Sequence, residues 1–199
     1  MYTVYLDGGD AYRIARTLKL PMEHFVELSR HDEGTIRLDD SASRYRLHLK
    51  KVADPDPRFP GRCPFLLSIG DRGRCGIYAI RPSVCGAYPT SFAGGLIGLG
   101  DGGEYCPPDS WHLESLDVPL FRLWPRKKRQ GEVLHQLLIE AWNARVSRPQ
   151  HPRRYFHYLF NAYQEVEVQA PKLLGEAPLD EPDRAQLQTI IEKVVAELS

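Results

Sequence analysis

Apolar positions early in the chain fall at helical spacing. Over Ala11–Leu18, Ile14, Leu18 and the following Leu20 lie on one side and predict a helix. Pro21 stands where a first-turn proline favours a second helix over Pro21–Leu28, with Phe25, Val26 and Leu28 as its apolar face. Two strands are predicted next, Thr35–Leu38 and Tyr45–Leu49. In the second, Tyr45, Leu47 and Leu49 alternate with Arg46, His48 and Lys50, the pattern of a half-buried hairpin strand.

Three amphipathic helices are predicted toward the C-terminus. Gly131–Val146 carries Val133, Leu134, Leu137, Leu138, Ala141 and Trp142 at three-to-four spacing. Pro152–Val168 carries Phe156, Leu159, Phe160 and Tyr163, and Pro182–Leu198 carries Leu187, Ile190, Ile191, Val194, Val195 and Leu198. Pro171 and Pro178 mark a linker before the last helix. The aromatic group Tyr155, Phe156, Tyr158, Phe160 and Tyr163 has the spacing of core packing rather than of a base-stacking platform. The chain holds no internal repeat and no low-complexity tract.

Between Asp54 and Ser110 the pattern weakens. This stretch holds 11 of the 16 glycines, 8 of the 16 prolines and all four cysteines. Ordering such a backbone costs roughly 1–2 kcal/mol per residue. Its few apolar runs offer little burial in return, so another kind of tie is expected.

Composition narrows the class. The chain has 199 residues, 42% of them hydrophobic and 10% aromatic, enough for a real core in one domain or a domain with an appendage. Lys plus Arg and Asp plus Glu number 26 each, so formal charge is zero, which argues against a global nucleic-acid field. The longest uncharged run, Pro82 to Gly100, has the length of a membrane span. It contains two prolines and five glycines, whose backbone lipid would leave unsatisfied, so no span is expected. Asp7 interrupts any apolar start and the N-terminus lacks a basic opening, so no signal peptide is expected. These readings predict a cytoplasmic protein with its thiols kept reduced.

Cys63, Cys75, Cys85 and Cys106 lie in one glycine-rich stretch, and their contexts pair. Cys63 and Cys106 precede proline; Cys75 and Cys85 precede glycine. Proline after a ligand fixes the turn, and glycine lets backbone N–H groups approach sulfur. Four thiolates around Zn²⁺, or around a [4Fe–4S]²⁺ cluster, leave a net charge of −2, which Arg62, Arg72, Arg74 and Arg81 stand close enough in sequence to offset. A structural metal supplies about 10–16 kcal/mol of apparent folding free energy, the order this stretch lacks. No C-x₂-C pair occurs, so the spacing is not that of a zinc ribbon. Spacing alone leaves three readings open: metal or cluster ligation, two disulfides, or unrelated buried thiols.

The run Cys63-Pro64-Phe65-Leu66, then Gly73-Arg74-Cys75-Gly76-Ile77-Tyr78, Arg81-Pro82, Cys85 and Tyr88-Pro89 resembles the second half of the YkgJ-type cysteine-cluster family, described as zinc- or iron-chelating domains. The resemblance covers about Tyr2 to Trp111. It implies that Cys63, Cys75, Cys85 and Cys106 are metal ligands. Relatives in that family include flagellin lysine methylases, which look like iron–sulfur proteins, so a redox or protein-modification role is implied by resemblance alone. The chain departs from the family pattern in lacking its opening C-x-x-C-x-x-C-C group. Its Val4–Ile14 segment, with Asp10 and Arg13, resembles the stretch that the family carries directly after that opening. A late start codon, a four-cysteine subclass and a degenerate site each account for this; the four-cysteine subclass is the expectation adopted. Gly86 and Tyr88 stand where the family often has Arg and Phe, and neither change touches a ligand.

Other candidates read more plainly. His112 could replace a cysteine, and Glu104 and Asp109 flank Cys106, but surface and turn roles are the simpler readings. His24 and His31 lack acidic or thiol companions and read as solvated. The basic run Arg126-Lys127-Lys128-Arg129 reads as a solvated lead-in to the helix after it, the alternative being a patch for an acidic partner. The glycines from Gly94 to Gly103 lack the Lys-Ser/Thr of a phosphate loop, and no nucleophile–base set is evident, so catalysis is left open.

The expected fold is α+β. A helix and hairpin scaffold surrounds an irregular Cys-rich metal-binding loop region over residues 1–116, and a helical extension over 117–199 packs on it. The expected function is ligation of zinc or an iron–sulfur cluster, 4Fe–4S foremost, through the four cysteines. A purely structural zinc module and a basic-patch interaction protein are the alternatives; the expected partners are the metal or cluster and a protein, without nucleic acid or membrane.

Overall fold

Asp7 starts the first helix. Its side chain accepts the Asp10 N–H at 2.7 Å, capping α1 (Gly8–Leu18), and Asp10 places a negative charge in the positive first turn. At the other end Lys19 takes the left-handed conformation (φ 52°), and the Leu20 N–H closes on the Ala15 carbonyl at 3.0 Å. A computed structural model gives the structure and describes residues 3–53, 61–69, 72–87, 90–93, 96–99, 118–174 and 180–197.

The second predicted helix is corrected. After Pro21 the chain makes a single 3₁₀ turn over Met22–His24 and then enters strand β1 (Val26–Arg30). Short apolar runs suit either period, and here pairing decides. Val26 and Leu28 lie opposite Leu49 and Leu47 of the antiparallel strand β2 (Tyr45–Leu49). β1 therefore takes the place foreseen for Thr35–Leu38, which contributes one isolated bridge, Ile36 to Tyr45. The other edge of β2 is covered by the N-terminal segment, through Leu6 N–H to the Leu47 carbonyl at 3.0 Å and Leu49 N–H to the Val4 carbonyl at 2.9 Å. That cover buries His48 on the face where alternation predicted solvent.

The cysteine-bearing stretch is built from small pieces. Strands β3 (Leu66–Ile69) and β4 (Arg72–Cys75) form one antiparallel hairpin, and a short helix α2 spans Ser83–Ala87. Strands β5 (Thr90–Ala93) and β6 (Leu96–Leu99) form another hairpin. Phe65 packs its ring on Phe25 (centroids 5.7 Å apart), and Ile77 is buried in the common core. Leu66, Leu67 and Tyr78 are exposed, which fits the meagre apolar payload of this stretch.

The three C-terminal helices are α3 (Val118–Asn143), α4 (Pro152–Gln169) and α5 (Glu181–Glu197). α3 begins well before the expected Gly131, so residues 126–129 lie within its backbone rather than leading into it. Arg, Lys and Gln are good helix formers, and helix continuity does not require an apolar face. α4 buries Tyr155, Phe156, Tyr158, Leu159, Ala162, Tyr163 and Val166, confirming the aromatic group as core. Fully buried side chains of this size each contribute about 1.5–3 kcal/mol. α1 packs on both α3 and α4, close enough that a Cβ at Gly8 would stand 2.7 Å from Tyr163 Cε2 and 2.8 Å from His135 Cδ2. No helix among the described residues is long and apolar enough to cross a membrane.

Polar ties fix the Thr35–Leu38 segment to the α3–α4 corner. Trp142 Nε1 donates to the Arg37 carbonyl at 2.7 Å. Asn143 accepts the Arg37 N–H and donates to the Thr35 carbonyl, both at 2.8 Å. The mixed helix and hairpin architecture is thus α+β, held around one hydrophobic core that draws on α1, β1, β2, α3, α4 and α5.

Candidate metal centre

Hairpin geometry brings the first two thiols together. Cys75 lies opposite Leu66 in the β3–β4 register, and the Leu66 N–H closes a turn on the Cys63 carbonyl at 3.1 Å. The Gly76 N–H reaches the Phe65 carbonyl at 2.8 Å and tightens the same corner. The backbone N–H groups of Phe65 and Leu66 near the Cys63 sulfur favour its thiolate form. Backbone donors aimed at sulfur are the outer partners that a ligating thiolate uses. Against this, burial and the neighbouring Cys75 push the Cys63 thiol up.

Cys85 faces the same region from α2, within electrostatic influence of the other two. Burial pushes its thiol up to about 12, and Cys63, Cys75 and Asp10 add to the rise while Arg81 opposes it. Three sulfurs from separate parts of the sequence are therefore within electrostatic reach of one another. Thiols that raise one another stay protonated by themselves, and a cation among them reverses that balance. None of the three is paired in a disulfide.

Asp10 positions α2. It is 2% exposed and accepts three hydrogen bonds from Ser83: the N–H at 3.1 and 3.0 Å on its two oxygens, and Oγ at 2.9 Å. Arg13 pairs with Asp10 and also donates to the Arg81 carbonyl at 3.2 Å. Arg81 lies over the Tyr78 ring at 3.8 Å and donates to the Tyr78 carbonyl. α1 thus carries the whole Tyr78–Ala87 segment. Nothing in the spacing of Asp10 announced this role; its partners are 73 residues away.

Cys106, His112, Glu104 and Asp109 lie outside the described residues. His24 is exposed; His31 is half-buried, edge-on to Tyr5, with Nδ1 accepting the Glu33 N–H. Of the four arginines, Arg81 acts on Cys85, Arg62 bonds Ser68 Oγ at 3.1 Å, and Arg74 is exposed. Among the described residues, no three His, Cys, Asp or Glu side chains stand close enough together to hold an ion as they are.

A second polar layer escaped sequence reasoning. His135 on α3 is buried, its ring pushed down to about 4 by burial, with Nε2 3.3 Å from the Tyr155 hydroxyl. Asp7 lies beside it and lines two cavities, one of about 750 Å³ and one of about 450 Å³. The larger opens between α1, α4 and the Tyr78–Ser83 segment. No family model, curated protein or solved structure matches the chain.

Proposed function

We propose that the chain binds a metal through Cys63, Cys75, Cys85 and Cys106, as zinc or as an iron–sulfur cluster. What supports this reading is that Cys63, Cys75 and Cys85, from separate parts of the sequence, act on one another's proton affinity, although among the described residues they do not yet stand close enough to hold an ion as they are. The C-x-F-L, G-x-C-x-I-Y, R-P and C order of the YkgJ-type pattern supports the same set. Thiolate ligands suit both Zn²⁺ and iron–sulfur clusters. Zinc would supply folding free energy to a stretch poor in apolar contacts, and a cluster would add one-electron redox capacity. In either case this chain's own residues do definite work. Asp10 fixes α2 through Ser83, the β3–β4 hairpin juxtaposes Cys63 and Cys75, and Arg81 offsets thiolate charge.

Elemental analysis of anaerobically isolated protein, with its visible spectrum, tests this. Iron with broad absorption near 400 nm marks a cluster, whereas a colourless protein with stoichiometric zinc marks the structural module. Cys85→Ser should lose most of the bound metal and destabilise the hairpin region. A wild-type protein free of both metals, or Cys85→Ser with undiminished metal, refutes the assignment.

A further inference from the structure

The loop that joins α3 to α4 is unbalanced in charge. Residues 144–154 carry Arg145, Arg148, Arg153 and Arg154 with no Asp or Glu. Arg145, Arg148 and Arg154 line one cavity of about 370 Å³, and no carboxylate lines it. The walls of this cavity are fixed. Trp142 is held by the Arg37 carbonyl and Tyr158 by the Leu138 carbonyl, while the Gln150 N–H donates to the Leu38 carbonyl at 2.6 Å. Arg154 is engaged, donating to Gln150 Oε1 at 3.1 Å. Arg145 and Arg148 differ. Among the described residues neither guanidinium has a hydrogen-bond or carboxylate partner, and Ser147 between them bonds nothing either. The charge of Arg145 is felt at the Tyr158 hydroxyl on the cavity wall. The carbonyl end of α3 carries about half a negative charge, which three arginines around one cavity exceed several-fold. Gathering like charges is unfavourable, and an anion among them reverses that.

We propose that this cavity binds a small phosphate monoester, its phosphate held by Arg145 and Arg148 with the Ser147 hydroxyl as a further donor. Two unpaired guanidiniums match the nearly two negative charges that a monoester carries at neutral pH. The planar guanidinium fork also binds phosphate oxygens in pairs. A carboxylate brings a single charge and leaves half of the excess standing. The positive end of α4 begins beside the same loop, at the His151 cap next to Gln150, and adds to the attraction. Val146, Val195 and Trp142 supply a limited apolar wall, and a cavity of this volume stands at the lower end of small-molecule sites, so the organic part is small. Two free guanidiniums in one pocket suit a single phosphate, whereas a nucleic-acid strand requires a row of cations. The site is separate from the proposed metal centre, since none of the three described cysteines lines it.

The test is calorimetric titration of the full chain with phenyl phosphate at neutral pH, against benzenesulfonate, which keeps the ring and the tetrahedral oxyanion but carries one charge. Phenyl phosphate is expected to bind at least about tenfold more tightly, the worth of one further charge-assisted pair. Arg145→Gln and Arg148→Gln change exposed side chains that have no partner to lose, so the fold stays intact. Each should weaken phenyl phosphate about tenfold. Arg153→Gln removes the same charge from the next stretch of chain, but that side chain faces Glu23 in a different cleft. Its effect should stay within about twofold, the reach of a screened exposed charge. No binding of phenyl phosphate, equal binding of benzenesulfonate, unchanged affinity in the Arg145 or Arg148 variant, or an equal loss in Arg153→Gln overturns the proposal. Tighter binding of an oligothymidylate than of phenyl phosphate also overturns it, marking a nucleic-acid surface instead.

Discussion

Asp7→Asn isolates one buried titration. Asp7 caps α1 and is half-buried between the two cavities. It shares them with Arg13 of its own helix, with Glu132 and His135 of α3, with Tyr163 of α4, and with Glu33 and Arg46 across the smaller one. Burial lifts its carboxyl from 3.8 to about 7, Asp10 and Glu132 adding to the rise, while the Asp10 N–H and Arg13 oppose it. A rise of about three units is worth about 4 kcal/mol at most, and solvent in the cleft reduces this to about 2 kcal/mol. The folded chain keeps a proton that the unfolded chain loses between about pH 4 and pH 7. Its contribution is therefore full below about pH 4 and is lost as pH rises through about 7. Asparagine stays neutral throughout and caps a helix as well as aspartate does. The variant should match the wild type near pH 4 and exceed it by about 2 kcal/mol above pH 7. Urea unfolding of both proteins, followed by tryptophan fluorescence across this range, gives the difference and cancels the groups they share. A difference that stays flat with pH, or a variant weaker at every pH, refutes the reasoning.

Asp10→Ala should be costlier, about 3 kcal/mol, because Ser83 loses its acceptor and Arg13 its partner, which is itself 43% exposed and partly rehydrates. Hydrogen exchange should rise over Tyr78–Ala87 before the rest of the chain; protection unchanged there removes Asp10 as the anchor of α2. Tyr158→Phe deletes a buried bond, the hydroxyl donating to the Leu138 carbonyl at 2.8 Å, and should cost about 1 kcal/mol by denaturant unfolding. A neutral result there would mean that the hydroxyl bond adds nothing to α3–α4 packing.

Local chemistry in the chain determined α1, β2, α4 and α5. The periods at Ile14, Leu159, Tyr163, Leu187 and Val194 bury one face against whatever core is offered, while the start of α1 at Gly8, ahead of the expected Ala11, rests on the Asp7 cap. The grouping of cysteines in a glycine-rich stretch was equally legible, because it needs no knowledge of distant partners. Tertiary structure decided the rest. Val26 and Leu28 became strand because Leu47 and Leu49 stood ready to pair with them, a choice that a short apolar run cannot make alone. His48 went inside because the N-terminal segment covered its strand. Asp10 found Ser83, and Asp7 came to lie between two cavities, only once α1, α4 and the cysteine segment had closed on one another. Capping and periodicity act over a few residues and are written in them; burial, pairing and shifted proton affinity depend on neighbours that only the folded chain supplies.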